Sequence, residues 1–293
     1  MELQEIYQPI SNELYLVEEE LGEQVKLIIM NQNLRCKKYM KQIIRHIFNV
    51  PGKLLRPALV LLSAKAVNDL EQDNSQQVIK LAAAVEFIHS ASLIHDDIID
   101  ESIYRRHQLT LNKQFDNQIA VMVGDILYSQ FFSILIGLQT GNQKQRERIL
   151  NIFCETTKKM CFGEIEEHKI RKSGEKPTLH EYLNVMENKT ACLFATSCQT
   201  GGLVNGADEE VSQALANYGL YLGMLFQIVD DFIDNDSIFS SDVSMIQKAE
   251  EYAMRAKSEI DLLNESGVKK TLLGIIDYVE QRVEEDKVIV QKL

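Results

Sequence analysis

Proline is scarce in this 293-residue sequence: Pro9, Pro51, Pro57 and Pro177 are its only hard helix breakers, and they leave long stretches uninterrupted. Leu, Ile, Ala, Glu, Lys and Gln dominate those stretches, residues a helix accepts at little cost, so helices are favoured over strands. Cations are also in short supply, 31 Lys and Arg against 43 Asp and Glu, for a formal charge of −12. A nucleic-acid binder needs a basic surface to release counterions, so that class is excluded and any phosphate must be held by a local set of cations. The five cysteines, Cys36, Cys154, Cys161, Cys192 and Cys198, are odd in number, form no C-x-x-C pair and follow no signal-peptide pattern. Reduced thiols in a cytoplasmic protein are expected, not a disulfide framework. No run approaches the roughly 18 to 20 apolar residues of a spanning helix, and Phe131 to Leu138 is the short kind that packs in a core, so integral membrane association is not expected. Nor is there an internal repeat of roughly 20 to 50 residues to suggest a solenoid.

What is present is a 45% apolar chain, enough for one large core, and a single all-α domain over residues 1–293 is the simplest reading. Helical periodicity runs from Ser11 to Met30, Cys36 to Phe48 and, beyond the Pro51-Gly52 break, Leu54 to Val67. Gln76 to Asp100 holds no Gly or Pro and is apolar on nearly every face, as expected of a helix at the centre of a bundle. Further helices are expected over Asn117 to Leu138, Gln145 to Cys161, Leu179 to Gly201 and Glu209 to Asp234, then two amphipathic stretches from Asp242 to Val283, with a loop at Ser173-Gly174 and Pro177.

Two acidic motifs echo each other: Asp96, Asp97 and Asp100 in SLIHDDIID, and Asp230, Asp231 and Asp234 in FQIVDDFID. At about 100° per residue the first and last aspartates of each share a helix face one turn apart, with the middle one beside them, so three carboxylates are expected to point to one place. That concentration of charge on an apolar helix costs several kcal/mol unless cations or hydrogen bonds compensate it. Mg²⁺ is the matching cation, since it takes one or two carboxylate oxygens, keeps waters and completes its shell with substrate phosphates. Solvated acidic helix ends would account for one such motif; two copies, each closing an apolar helix, argue for metal.

At these residues the chain resembles the trans-isoprenyl (polyprenyl) diphosphate synthases, in motif order from about Gly52 to Asp234. The family's Gly-Lys-x-x-Arg-Pro stretch stands here as GKLLRP. The resemblance implies that Lys53 and Arg56 hold the diphosphate of isopentenyl diphosphate, together with His89, two turns before Asp96 on the same face. YRRHQLT resembles the family's arginine pair, with Arg105 assigned to the allylic diphosphate and Arg106 to that of isopentenyl diphosphate; guanidinium forks suit phosphate oxygens. His107 stands where the family pattern usually has glycine. The stretch AVMVGDILYS echoes a family helix, where Gly124-Asp125 serves close packing. Lys189-Thr190 and Gln227 resemble the family's later contacts to the allylic diphosphate.

The resemblance implies an isoprenoid synthase-like bundle of long helices around a central prenyl-chain cavity, and a homodimer. Two to three Mg²⁺ ions bridging the aspartate motifs are expected to assist departure of the diphosphate from an allylic substrate, farnesyl or geranyl. Isopentenyl diphosphate then attacks the resulting cation, and the departing diphosphate takes the proton. The aspartates are metal ligands, not nucleophiles. Ala91 and Ser92, one turn before Asp96, are small where an aromatic would plug the tunnel, which implies a medium- or long-chain product, with Phe87 and Ile88 as a deeper floor. Small residues would equally serve close helix packing. After about residue 236 a family segment carrying lysines is absent from the sequence. A non-catalytic or regulatory subunit of a prenyl synthase is the alternative that this gap favours; a terpene cyclase would need no second diphosphate site.

Overall fold

The computed structural model describes residues 2–30, 33–48, 52–70, 72–234, 238 and 242–290. The gap after about residue 236 falls outside the described residues. The helices are α1 (Leu3–Ile6), α2 (Ser11–Met30), α3 (Leu34–Phe48), α4 (Leu55–Val67), α5 (Gln72–Ile99), α6 (Leu111–Gln114), α7 (Asn117–Gly137), α8 (Gln143–Ser173), α9 (Leu179–Met186), α10 (Cys192–Val204), α11 (Glu209–Asp234), α12 (Asp242–Glu259) and α13 (Gly267–Val290). Between α5 and α6 lies a two-stranded antiparallel hairpin, β1 (Tyr104–Arg105) and β2 (Gln108–Leu109), which the helical reading of the sequence missed. The residues group into two compact units: a hairpin unit of residues 12–58 and 79–139, and a larger unit of residues 1–11, 59–78 and 140–293.

In the hairpin unit, α5 is buried as its sequence demands, with Leu81, Ala82, Ala83, Ala84, Val85 and Phe87 all at 0% exposure. The run of alanines lets neighbouring backbones approach, and a central helix apolar on every face has no solvent side to satisfy. Helix α7 starts at Asp116, whose carboxylate accepts from the Ile119 N–H at 2.6 Å and caps the first turn. Gly124 lies against the His95 ring, where a Cβ would stand 2.2 Å from Nε2, so its role is the close helix approach expected of it.

In the larger unit, α8 runs twelve residues beyond the expected stop at Cys161, to the left-handed cap Gly174 (φ 69°). Gly163 does not break it; the glycine clears room for the backbone of Lys189, whose N would stand 2.4 Å from a Cβ there. The stretch expected as one helix from Leu179 to Gly201 is interrupted by a π-helical segment over Glu187–Ala191, which carries Lys189 and Thr190. Such i→i+5 segments are frequent at functional positions. A Thr178–Glu181 capping box starts α9.

Two helices correct the expectation about long apolar segments. Asn74–Ile99 and Asn117–Gly137 are long and apolar enough to cross a bilayer by length and composition, because scattered polar residues dilute their hydropathy without cancelling it. The first has 67% of its apolar window buried within this fold and the second 39%.

Candidate active site

The site residues expected from the sequence divide between the two units, and each set is built locally. In the hairpin unit, Lys53 is exposed on the loop entering α4, followed by Leu54 in the left-handed region (φ 48°). That backbone conformation is costly for a non-glycine residue and is held by its surroundings. At the second residue of α4, Arg56 Nη1 lies 3.2 Å from His89 Nε2 on α5. Burial, then the charges of Arg56, Arg106 and Arg105, push the His89 pKa well below the usual imidazole value. His89 is therefore neutral at pH 7, and its Nε2 accepts from Arg56. Glu86, one turn earlier, is buried; desolvation raises its carboxyl pKa, offset in part by Arg56 and Arg106. Sequence reading missed Glu86.

The hairpin aims the two arginines. Thr110 Oγ1 donates to the Ser102 carbonyl at 2.7 Å and Gln108 Nε2 to the His46 carbonyl at 3.0 Å, while His46 Nε2 contacts the Leu109 carbonyl at 2.8 Å. The guanidinium of Arg106 lies over Gly52, with Nη2 3.0 Å from where a Cβ would be. Arg105, expected at the allylic diphosphate, grips Asp97: Nε donates to Oδ1 at 2.9 Å and Oδ2 at 3.0 Å, and Nη2 stands 2.8 Å from Oδ1. Asp97 is 4% exposed, Asp96 half-buried and Asp100 exposed. Asp97, about 100° round the helix from Asp96, is the aspartate of this motif that Arg105 engages.

A cavity of about 440 Å³ in this unit is bordered by Gly22, Phe48, Gly52, Glu86, Ser90 and Arg106, among others. The chain-length candidates do not border it. Phe87, Ile88 and Ala91 are buried, with the Phe87 ring 6.3 Å from that of Phe48, and the half-buried Ser92 donates its hydroxyl to the His89 carbonyl at 2.9 Å.

In the larger unit, the carboxyl end of α11 carries the second motif. Asp231 accepts from Gln227 Nε2 at 2.7 Å on Oδ1 and from the hydroxyl of buried Tyr182 at 2.8 Å on Oδ2. Gln227 in turn accepts from Thr190 Oγ1 at 2.9 Å. Burial pushes the Asp231 pKa up to about 6, against the pull of those two hydrogen bonds, and Glu167 and Asp230 add to the rise. Thr190 and Gln227 therefore form a chain ending on Asp231. Asp230 Oδ1 lies 2.6 Å from Arg282 Nη1 of α13, and the Arg282 guanidinium stands 5.5 Å over the Phe226 ring. The side chain of Asp234 lies outside the described residues.

Lys189 is held by two carboxylates of α8, Glu164 at 2.7 Å and Glu167 at 2.5 Å, and Arg171 stands 2.8 Å from Glu167. Burial pushes the Glu167 pKa up, but Lys189 and Arg171 outweigh it and hold the carboxyl below its ordinary value. Glu164, Glu167, Tyr182 and Arg282 were all missed in the sequence. Glu164 and Glu167, three apart on a helix, were the one available signal, hidden by the early stop assigned to α8.

Among the described residues no group of three or more His, Cys, Asp and Glu is placed to hold a metal ion. The donor set nevertheless fits Mg²⁺ in kind: it is all carboxylate oxygen, and that ion needs only one or two carboxylates beside water and phosphate.

A protein that is helical but for one short hairpin among its described residues, and that closes two apolar helices with aspartate pairs, one unit adding lysine, arginine and histidine and the other lysine and arginine, has the architecture of the isoprenoid synthase class. The comparisons with known proteins go further: residues 37–249 match the polyprenyl synthetase family, and the chain belongs to it. It is 38% identical over 189 residues to heptaprenyl diphosphate synthase component 2 of Bacillus subtilis, covering 64% of this chain and 51% of that one. To the protein of the same name from Geobacillus stearothermophilus it is 34% identical over 236 residues, covering 80% and 67%. The chain thus spans about half to two thirds of the length of these curated relatives. A solved decaprenyl diphosphate synthase from Rhodobacter capsulatus superimposes with a TM-score of 0.82 at 25% identity, covering 96% of this chain and 99% of that one.

Proposed function

We propose that the chain is a trans-polyprenyl diphosphate synthase that condenses an allylic diphosphate with isopentenyl diphosphate and makes a medium- or long-chain product. The observation that carries this reading is the cation set beside neutral His89. Arg56 bonded to His89, Arg106 over Gly52 and Lys53 on the adjoining loop together suit a diphosphate other than the one the aspartates serve. A terpene cyclase has no use for such a set. The names of the relatives, heptaprenyl and decaprenyl synthases, support a product longer than farnesyl.

Asp96, Asp97 and Asp100 of the first motif, and Asp230, Asp231 and Asp234 of the second, would hold Mg²⁺, two to three ions in all. Bound there, the metal supplies Lewis-acid stabilisation of the departing diphosphate. The rest falls to the chain. Lys53, Arg56, His89 and Arg106 bind and orient the isopentenyl diphosphate, while Arg105, Lys189, Thr190 and Gln227 serve the allylic diphosphate, directly or, for Thr190 and Gln227, through Asp231. Neutral His89 donates or accepts a hydrogen bond without adding charge, and with no His or Glu in the motifs placed as a base, the proton lost after condensation goes to the released diphosphate.

A homodimer accords with the exposed apolar side chains of α7, Val121, Met122 and Ile136, and five free cysteines accord with a cytoplasmic setting. Incubation with Mg²⁺, farnesyl diphosphate and labelled isopentenyl diphosphate, with chain-length analysis beside Asp96→Ala, tests the reading. Prenyl products longer than farnesyl, lost in the variant, are expected. A folded protein that binds Mg²⁺ and diphosphate yet yields no product overturns autonomous catalysis in favour of the subunit reading, to which the relatives' name, component 2, lends its support.

A further inference from the structure

The carboxyl end of α11 draws on a cation from far along the chain. Residues 235–247, which follow the second motif, contain no lysine or arginine. Beyond them, most cations of α12 and α13 pair with acids of their own helix, the adjacent helix or the turn between the two: Lys248 and Arg255 with Glu251, Lys257 with Asp277 and Glu280, and Lys269 with Glu265. Arg282 differs, because its acidic partner is Asp230 of the motif itself, at 2.6 Å. The Phe226 ring, one helical turn before Asp230, lies beneath the guanidinium, its centroid 5.5 Å from the guanidinium carbon.

The pairing leaves donor capacity unused. Arg282 Nη1 is buried, and despite its short ion-pair distance it donates no well-aligned hydrogen bond among the described residues. A guanidinium carries five N–H donors in a planar fork that matches carboxylate and phosphate oxygens alike. Its carboxylate partner here is a residue that the proposed reaction assigns to a cation. Once Asp230 turns to that cation, the guanidinium stays over Phe226 with its fork beside the place where anionic oxygens arrive.

We propose that Arg282 is a further diphosphate-binding residue, contributed to the second aspartate motif by the C-terminal helix, and that its pairing with Asp230 competes with the cation until ligand binds. This rests on the synthase reading above. It makes two effects of removing Arg282 opposite in sign, because loss of a competitor favours the cation while loss of a donor disfavours the anion.

The test measures Mg²⁺ binding alone and inorganic pyrophosphate binding at saturating Mg²⁺ by calorimetry, for the wild-type chain and Arg282→Met, with thermal midpoints as the control on folding. The expected result is Mg²⁺ binding about threefold tighter and pyrophosphate binding about tenfold weaker in the variant. A merely structural role weakens both together, and that outcome, or an unchanged pyrophosphate affinity, overturns the proposal. If Arg282→Met does not fold, Arg282→Gln, which keeps a polar side chain without the charge, replaces it in the same two measurements, with the same results expected and the same results overturning the proposal. Prenyl products from the wild type, together with unchanged pyrophosphate affinity in the variant, would sink the Arg282 role alone. A wild type that binds no pyrophosphate overturns the synthase reading along with it.

Discussion

Arg105 clasps Asp97 through both carboxylate oxygens, with Nε 2.9 and 3.0 Å from Oδ1 and Oδ2. The Asp97 side chain is 6% exposed and the Arg105 side chain 38%, so the pair is buried on its acidic side and wet on its basic side. Removing the arginine strands the aspartate charge where water cannot replace its partner. Arg105→Met is expected to cost about 2 kcal/mol of stability, less than for a fully enclosed pair because solvent reaches the guanidinium. Arg105→Met with Asp97→Asn is expected to recover most of it, since the double change removes the charge that was left unpaired. Urea unfolding of the two variants and the wild type checks both statements.

Asp231 gives the fold an unusual pH dependence. Its pKa stands at about 6 against 3.8 for the free side chain, so between those values the folded chain binds the proton more tightly than the unfolded one. The stabilisation is full below about pH 4 and is lost as pH rises through about 6. Asp231→Asn is expected to be more stable than wild type at pH 7.5, by on the order of 2 kcal/mol in metal-free buffer, with that difference vanishing toward pH 4. Thermal midpoints across that range measure it. Tyr182→Phe removes a hydrogen bond that favours the carboxylate, so it is expected to move the transition to higher pH.

The aspartate motifs were legible because each is local: adjacent acids closing an apolar helix need only helical geometry to be recognised. Arg56 and His89 were legible through motif resemblance, and the structure brings them within 3.2 Å. What stayed hidden was pairing across sequence distance. Nothing near Asp230 signals Arg282, and nothing near Lys189 signals Glu164 and Glu167, because an ion pair imposes no spacing when its partners sit on different helices. The length of α8 was hidden in a different way. Beyond the expected stop at Cys161 the helix continues through Gly163, where another backbone presses against it, and only packing reveals that glycine's role. The hairpin escaped because its turn lacks the Asn-Gly or Asp-Gly that announces such turns.

That turn is testable on its own. The register pairs Tyr104 with Leu109 and Arg105 with Gln108, leaving Arg106 and His107 as a two-residue loop with both φ angles positive, 50° and 63°. Glycine takes such a conformation without the Cβ clash that histidine suffers, although it gives back some chain entropy in the unfolded state. His107→Gly is expected to raise stability by about 0.5 kcal/mol and to leave pyrophosphate binding unchanged, since His107 holds no assigned ligand. A destabilised variant would mean that the histidine ring contributes more than its backbone strain removes.

Chain length offers the last discrimination, between small residues kept for a tunnel and small residues kept for packing. Ala91 is 1% exposed and Ser92 half-buried, with the Ser92 hydroxyl already satisfied by the His89 carbonyl. An aromatic at position 91 must displace packed neighbours and is expected to cost about 1–3 kcal/mol, whatever it does to the product. At position 92 the partly open surroundings let a ring turn away at smaller cost, so Ser92→Phe separates the two roles more cleanly. If the prenyl chain passes this point, Ser92→Phe shortens the longest product while the thermal midpoint stays near wild type, and chromatography of the dephosphorylated products shows the shift. An unchanged product distribution from a stable variant would mean the growing chain runs elsewhere, and would leave Phe87, packed against Phe48, as part of the core and not as a floor.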